Sequence, residues 1–143
     1  MKGYWNRPDA TEEMIQDGWL YTGDLAKVDE EGFVYIVGRK KEMIISGGEN
    51  IYPLEVEQVI NKLSEVCEVA VIGTQHVKWG EIPIAFIVKK SCSVLTEKEV
   101  IDHCRLFLAK YKVPKEIVFL EELPKNATGK IQKAQLANQL KSR

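Results

Sequence analysis

Long hydrophobic runs are missing from this 143-residue sequence: the longest apolar stretches, Phe33 to Val37 and Ile84 to Val88, are strand-sized. A bilayer-crossing helix needs roughly twenty consecutive apolar residues, so no membrane span is expected. The first nine residues lack both an apolar segment and a small-residue cleavage site. No secretory signal is read there, and the cytoplasm is the expected compartment. Cysteine is scarce and odd in number: Cys67, Cys92 and Cys104 have no CxxC spacing. That fits reduced, mostly packed thiols better than a disulfide framework. With His76 and His103 as the only histidines, no zinc-ligand cluster can be assembled, and no metal site is expected within the chain. There is also no run of five like charges and no aromatic ladder between basic residues, so nucleic acid is not an expected partner.

What is present describes a folded protein. A composition of 45% hydrophobic and 29% charged residues lies far from that of disordered chains. A chain of this size buries roughly two-thirds of its unfolded surface, enough for one proper core. The net charge of −1 conceals an asymmetry, since residues 110–143 carry +5 and residues 1–109 carry −6. A basic end can serve phosphate-bearing small molecules, or it can be a solvated helix face.

Residues 11–16 have the pattern of a short helix with Asp9 or Thr11 as N-cap, stopped by Gly18. Leu25 to Val28 and Phe33 to Val37, joined by Asp29-Glu30-Glu31-Gly32, predict a β-hairpin. The charged break Gly38-Arg39-Lys40-Lys41-Glu42 follows, and the domain boundary is placed there, between 1–39 and 40–143. Beyond it the pattern predicts a strand over Met43 to Ile45, a Gly loop over 46–50, and a helix opened by Pro53. Strands are expected over Val69 to Ile72 and Ile82 to Val88. A helix through about Ala109 is opened by the Thr96/Glu99 capping box, with Val100, Ile101, Cys104, Phe107 and Leu108 as its apolar stripe. Ile117 to Leu120 is the last strand, Pro124 to Lys130 a loop, and Gln132 to Leu140 the final helix. The fold class is α+β: a small domain with a short mixed or antiparallel sheet covered by helices, preceded by a β-hairpin.

Several segments carry chemistry, each with an ordinary alternative. The Tyr21-Thr22-Gly23-Asp24 turn delivers a carboxylate able to accept two hydrogen bonds from a ribose diol, or it is a plain loop. Arg39 can contact ribose or phosphate, or serve as a surface cation. The Ser46-Gly47-Gly48 run allows close backbone approach to a ligand, or a simple strand-to-helix turn. In Pro124-Lys125-Asn126-Ala127-Thr128-Gly129-Lys130 a flexible ammonium stands at a loop tip, suited to charge developing on a phosphate or carboxylate, or merely solvated. Pro124 and Ile131 depart from a Walker A loop, and the Asn126-Ala127-Thr128 sequon is discounted without a secretory signal. Trp79 and Tyr111, near turns and with Lys115 close in sequence, can stack a base or pack an edge.

Taken together and in order, these segments resemble the adenylate-forming superfamily of acyl-CoA synthetases, peptide-synthetase adenylation domains and beetle luciferases. The resemblance rests on Gly3-Tyr4-Trp5-Asn6 with Gly18 to Asp24, Gly32 to Arg39, Ile44 to Pro53 with Glu55 and Glu57, and Leu123 to Lys130. It implies a large N-terminal domain followed by a small C-terminal lid that rotates between acyl-adenylate formation and thioester formation. By resemblance, Asp24 is the ribose-binding carboxylate, Arg39 the arginine beside it, Lys41 the hinge position and Lys130 the catalytic lysine of adenylation. Gly48 matches a glycine beside the pantetheine tunnel, and Trp79, Tyr111 and Lys115 match positions near the CoA nucleotide. Some members carry a lysine where Ile45 stands, and its role is not available here. The implied cofactors are ATP/AMP, CoA and Mg²⁺. The family's phosphate loop, Mg²⁺-binding Glu and acyl pocket lie upstream of the region matching Met1. The chain is therefore expected to be the last portion of a longer acid–CoA ligase, inactive alone, whose partners are that N-terminal domain and a carboxylic acid, a fatty acid being expected. The alternatives are an adenylation domain loading a carrier protein, and a free-standing lid module that binds CoA or a partner without catalysis.

Overall fold

The computed structural model describes residues 1–141. The chain divides into two compact units, Met1–Lys41 and the remainder from Glu42 onward.

In the first unit, helix α1 (Pro8–Met14) is followed by strands β1 (Ile15–Gln16), β2 (Trp19–Leu20), β3 (Asp24–Val28) and β4 (Val34–Arg39). The helix begins earlier than its sequence pattern indicates. Pro8 occupies the first turn, where its missing N–H costs nothing, and Arg7 is the N-cap without a side-chain cap bond. Neither Asp9 nor Thr11 caps it: Asp9 pairs with the Arg7 guanidinium at 2.9 Å, and Thr11 Oγ1 accepts from Tyr4 N–H at 2.9 Å. Asp17 and Gly18, both at positive φ, form the two-residue turn that joins β1 to β2. In the expected hairpin β3/β4, Asp29 Oδ1 accepts from the N–H groups of Glu31 and Phe33, which closes the loop. No residue of this unit is buried, and Trp5, Trp19, Phe33, Val34 and Ile36 are exposed.

A single 3₁₀ turn, Lys40–Glu42, leads into the second unit. This unit contains β5 (Ile44–Ser46), β6 (Glu49–Ile51), α2 (Pro53–Ile60), β7 (Val66–His76), β8 (Gly80–Lys89), α3 (Glu97–Phe107), β9 (Glu116–Leu120) and α4 (Lys133–Lys141). The expected Gly loop over 46–50 is instead a tight hairpin: Gly47 and Gly48 form its turn, and Ser46 pairs with Glu49. β8 is the central strand of the sheet, paired antiparallel with β7 along one edge. The other edge of β8 is shared by β5, at Ser46–Gly80, and by β9, which runs parallel over Ile84–Val88. The sheet is therefore mixed, and the domain is α+β.

Alternation along the strands explains why their apolar runs are nearly continuous. Val69, Val71, Ala85 and Ile87 face a core shared with Val56, Val59 and Ile60 of α2 and Val100 and Cys104 of α3. Their neighbours Ala70, Ile72, Ile84 and Phe86 join Val118, Leu123 and Leu136 in a second core, which α4 covers. Each fully buried Val, Leu, Ile or Phe among them contributes roughly 1.5–3 kcal/mol of transfer free energy. Thr96 and Glu99 form the expected reciprocal cap on α3. Within its stripe, Val100, Cys104 and Leu108 are buried whereas Phe107 is exposed. The thiols are not mostly packed: Cys104 is buried, whereas Cys67, at a β-bulge, and Cys92, in a turn at φ 64°, are exposed. No helix among the described residues is long and apolar enough to cross a membrane.

Candidate functional site

The hairpin of the first unit places Asp24 opposite Arg39 in register, with Arg39 Nε donating to Asp24 Oδ1 at 3.0 Å. Asp24 is the first residue of β3. Its own N–H is held by Thr22 Oγ1, and Gly23, at positive φ, accepts from Lys40 N–H at 2.8 Å. Both side chains are partly exposed. The pairing engages Asp24 Oδ1 alone, and among the described residues Oδ2 accepts no hydrogen bond, which leaves it available to an outside donor. This is a rigid, charge-balanced pair able to accept from a hydroxyl and to donate to an anion.

In the second unit, the two-glycine turn is packed against the residues leading into β8. Gly47 N–H donates to the Trp79 carbonyl at 2.8 Å, and a Cβ at Gly47 would lie 3.0 Å from Trp79 Cε3. At Gly48, by contrast, a Cβ would meet no atom within 4 Å; its glycine is required by a φ of +87°. Trp79, which is distant in sequence from Tyr111 and Lys115, lines with them one cavity of about 430 Å³ together with Ser46, Gly47, Glu49 and Lys110. The Lys78 ammonium lies 4.9 Å from the indole ring centre. Lys110 and Lys115 have no ion-pair partner among the described residues, so the cavity presents two aromatic residues beside two lysines, with Glu49 as the one acidic residue of its lining. The segment carrying Tyr111 is fixed by the next residue. Lys112 Nζ reaches both oxygens of Glu55 on α2 at 2.7 Å, and this hydrogen bond raises the lysine's pKa above its ordinary value. Glu57, two residues on and on a different face of α2, accepts from Val71 N–H and from Lys133, which also holds Glu42 at 3.1 Å.

Lys130 stands apart from that cavity, on the loop between β9 and α4. Its ammonium is exposed and has no partner among the described residues. Asn126 organises the loop: its Oδ1 accepts from Thr128 N–H, Thr128 Oγ1 and Lys130 N–H. Lys41 lies within the 3₁₀ turn and adjoins the division between the units. Lys110 and the loop role of Asn126 were not singled out from the sequence. Lys110 was legible as a second cation beside Tyr111, and Asn126 as an Asx side chain two and four residues before the donors it collects. Among the described residues no group of three or more His, Cys, Asp or Glu could hold a metal ion.

These features have close counterparts. The family described as AMP-binding enzyme C-terminal domain matches residues 55–130. A 2-succinylbenzoate–CoA ligase from Bacillus cereus is 52% identical over 134 residues, which is 94% of this chain and 27% of that protein. The chain thus spans about a quarter of the length of the curated relatives it matches. The structure of o-succinylbenzoate–CoA synthetase from Bacillus subtilis in complex with its acyl-adenylate intermediate is 46% identical, with a TM-score of 0.88 over 99% of this chain and 28% of that one. Mycobacterium tuberculosis fatty acyl-CoA synthetase is 48% identical, with a TM-score of 0.75 and the same coverage. On the family match and on the identity across nearly all of its length, the chain belongs to the AMP-binding enzyme C-terminal domain family.

Proposed function

We propose that this chain is the C-terminal domain of an AMP-forming acid–CoA ligase. Such an enzyme joins a carboxylate to ATP, giving acyl-adenylate and pyrophosphate, and then transfers the acyl group to the thiol of CoA, releasing AMP. The observation that carries this reading is that one small unit holds two separate cationic sites, the Lys130 loop and the cavity with Lys110 and Lys115. Two sites sharing no residue suit a domain that serves two successive reactions with different anionic partners. Lys130 is assigned to the first, meeting the charge that develops as pyrophosphate leaves. Asp24 and Arg39 are assigned to the adenosine ribose.

The cavity is assigned to CoA, and its chemistry fits that group. The Trp79 and Tyr111 faces would hold the base, the Lys110 and Lys115 ammoniums would meet phosphates, and the Gly47-Gly48 turn would let the pantetheine arm pass close to backbone. The large N-terminal domain would supply the Mg²⁺ site and the acyl pocket. It would also cover the exposed Trp5, Trp19, Phe33 and Val34 of the first unit, which has no buried residue of its own. Lys41 is assigned as the hinge.

The acid assigned here is 2-succinylbenzoate, the acid of the ligases with 52% identity, in place of the fatty acid expected from the sequence. A fatty acid is the second reading, supported by the 48% identity to a fatty acyl-CoA synthetase. The test is pyrophosphate release by the natural gene product over a panel of 2-succinylbenzoate and fatty acids, followed by thioester formation with CoA or with a carrier protein. Release with 2-succinylbenzoate and thioester with CoA are expected. Release with fatty acids alone would move the assignment to the second reading, and no release with any acid would overturn the ligase reading.

A further inference from the structure

Among the described residues the Lys130 side chain has no partner, yet the backbone beneath it is held through Asn126 from both sides. Asn126 Oδ1 accepts from Thr128 N–H at 3.0 Å, from Thr128 Oγ1 at 2.8 Å and from Lys130 N–H at 2.9 Å. The backbone closes the same ring from the other side, with Asn126 N–H donating to Lys130 O and Gly129 N–H to Asn126 O, each at 2.9 Å. Gly129, at φ 81°, makes the reversal that brings residue 130 back beside residue 126. The base of the loop is anchored as well: Lys125 and Ile131 form an isolated antiparallel bridge, Gln132 N–H donates to Pro124 O at 2.8 Å, and Lys125 Nζ lies 2.6 Å from Glu68 Oε1 on β7. A flexible four-carbon lysine stem needs a fixed starting point if its ammonium is to arrive at one place. Here one acceptor, Asn126 Oδ1, collects both the turn and the lysine's own N–H.

We infer that Asn126 is a positioning residue for adenylation, acting through the backbone of Lys130, with Glu68 and Lys125 tethering the loop it shapes. The inference rests on the assignment of Lys130 to the first half-reaction. Removing the acceptor leaves Lys130 charged and present but releases its Cα, and a misplacement of about 1 Å costs on the order of a hundred-fold in a positioned reaction. The other half-reaction makes no use of the loop and should be spared.

The experiment uses the natural gene product with Asn126→Ala, Asn126→Asp, Lys130→Ala and the double variant N126A/K130A. Each is assayed for acid-dependent pyrophosphate release and for thioester formation from preformed acyl-adenylate. Asn126→Ala is expected to lower kcat for pyrophosphate release by about ten- to a hundred-fold, with thioester formation within about two-fold of the parent. Asn126→Asp, which keeps the oxygen acceptor, is expected to recover most of the rate. The double variant is expected to be no slower than Lys130→Ala alone, because residues that act as a unit are not additive. If Lys130→Ala is slow but Asn126→Ala is not, or if the two losses multiply, the positioning role is overturned while the Lys130 assignment stands. If Lys130→Ala itself keeps normal pyrophosphate release, that assignment fails and takes this inference with it. Melting curves accompany each variant, and if Asn126→Ala unfolds, Asn126→Gly enters the same cycle with the same outcomes.

Discussion

Gly47 and Trp79 are locked together twice, by a 2.8 Å bond from Gly47 N–H to the Trp79 carbonyl and by an indole edge that would lie 3.0 Å from any Cβ at residue 47. Gly47→Ala meets two penalties at once, since its φ of +60° is a left-handed conformation and the added methyl meets a bulky ring. A loss of about 1–3 kcal/mol in urea unfolding is expected, the range for a non-glycine residue held in such a conformation. Tryptophan fluorescence should shift as the indole is displaced, and binding of a CoA analogue should weaken with it. Unchanged fluorescence and stability would show that the turn tolerates a side chain.

Cys104 is buried among Val100, Val59 and Ile60, and burial pushes its thiol from the ordinary 9.0 up to about 11. The folded state therefore holds this proton more tightly than the unfolded one. Its contribution to stability is complete below about pH 9 and is lost as pH rises through about 11. Cys104→Ala should flatten that part of the alkaline unfolding profile, at a cost of about 1 kcal/mol at neutral pH. In native titration with a thiol reagent, exposed Cys67 and Cys92 should react and Cys104 only after denaturation.

The capping box of α3 and the β3/β4 hairpin were legible in the sequence, because each is written in a fixed spacing, and the apolar runs Val69 to Ile72 and Ile82 to Val88 marked the inner parts of β7 and β8, though not the burial of both their faces. β6 was not. Ser46 to Asn50 contains no strand-forming apolar pair, and its identity as a hairpin depends on Gly47 and Gly48 both taking positive φ. The packing of the cysteines was misjudged for a similar reason, since the bulge at Cys67 breaks the alternation that would otherwise assign it a face. At the candidate site, residue types were readable but their meeting was not. Trp79 and Tyr111 reach one cavity only because each precedes the start of its strand, β8 and β9, and the parallel pairing of those strands puts both starts at the same end of the sheet.

Glu55 and Lys112 join α2 to the segment that presents Tyr111, with both carboxylate oxygens 2.7 Å from the ammonium. Glu55 is 41% exposed, so the pair should contribute no more than about 1 kcal/mol to stability. Its larger effect should fall on the cavity. Glu55→Gln is expected to weaken CoA binding several-fold while leaving acid-dependent pyrophosphate release unchanged. A double cycle with Lys112→Met measures the coupling, and fully additive effects on CoA affinity would mean that the pair does not hold Tyr111 in place.

Lys41 sits inside the 3₁₀ turn Lys40–Glu42, and Glu42 is fastened to the second unit by Lys133 at 3.1 Å. Lys133 also holds Glu57 at 2.8 Å, so the backbone is anchored immediately after residue 41. On the other side, Lys40 N–H is bonded to Gly23 O at 2.8 Å within the first unit. Few torsions remain between these anchors to absorb a rotation of the proposed lid, and those of Lys41 are central among them. Lys41→Pro fixes one φ near −65° and restricts the residue before it. In the natural gene product this substitution is expected to leave single-turnover adenylation within about two-fold of the parent while slowing multiple turnover about ten-fold or more, because passage between the two reactions becomes limiting. Lys41→Ala, which keeps the backbone free, should turn over normally. If Lys41→Pro turned over as fast as the parent, the rotation would have to be carried by other residues.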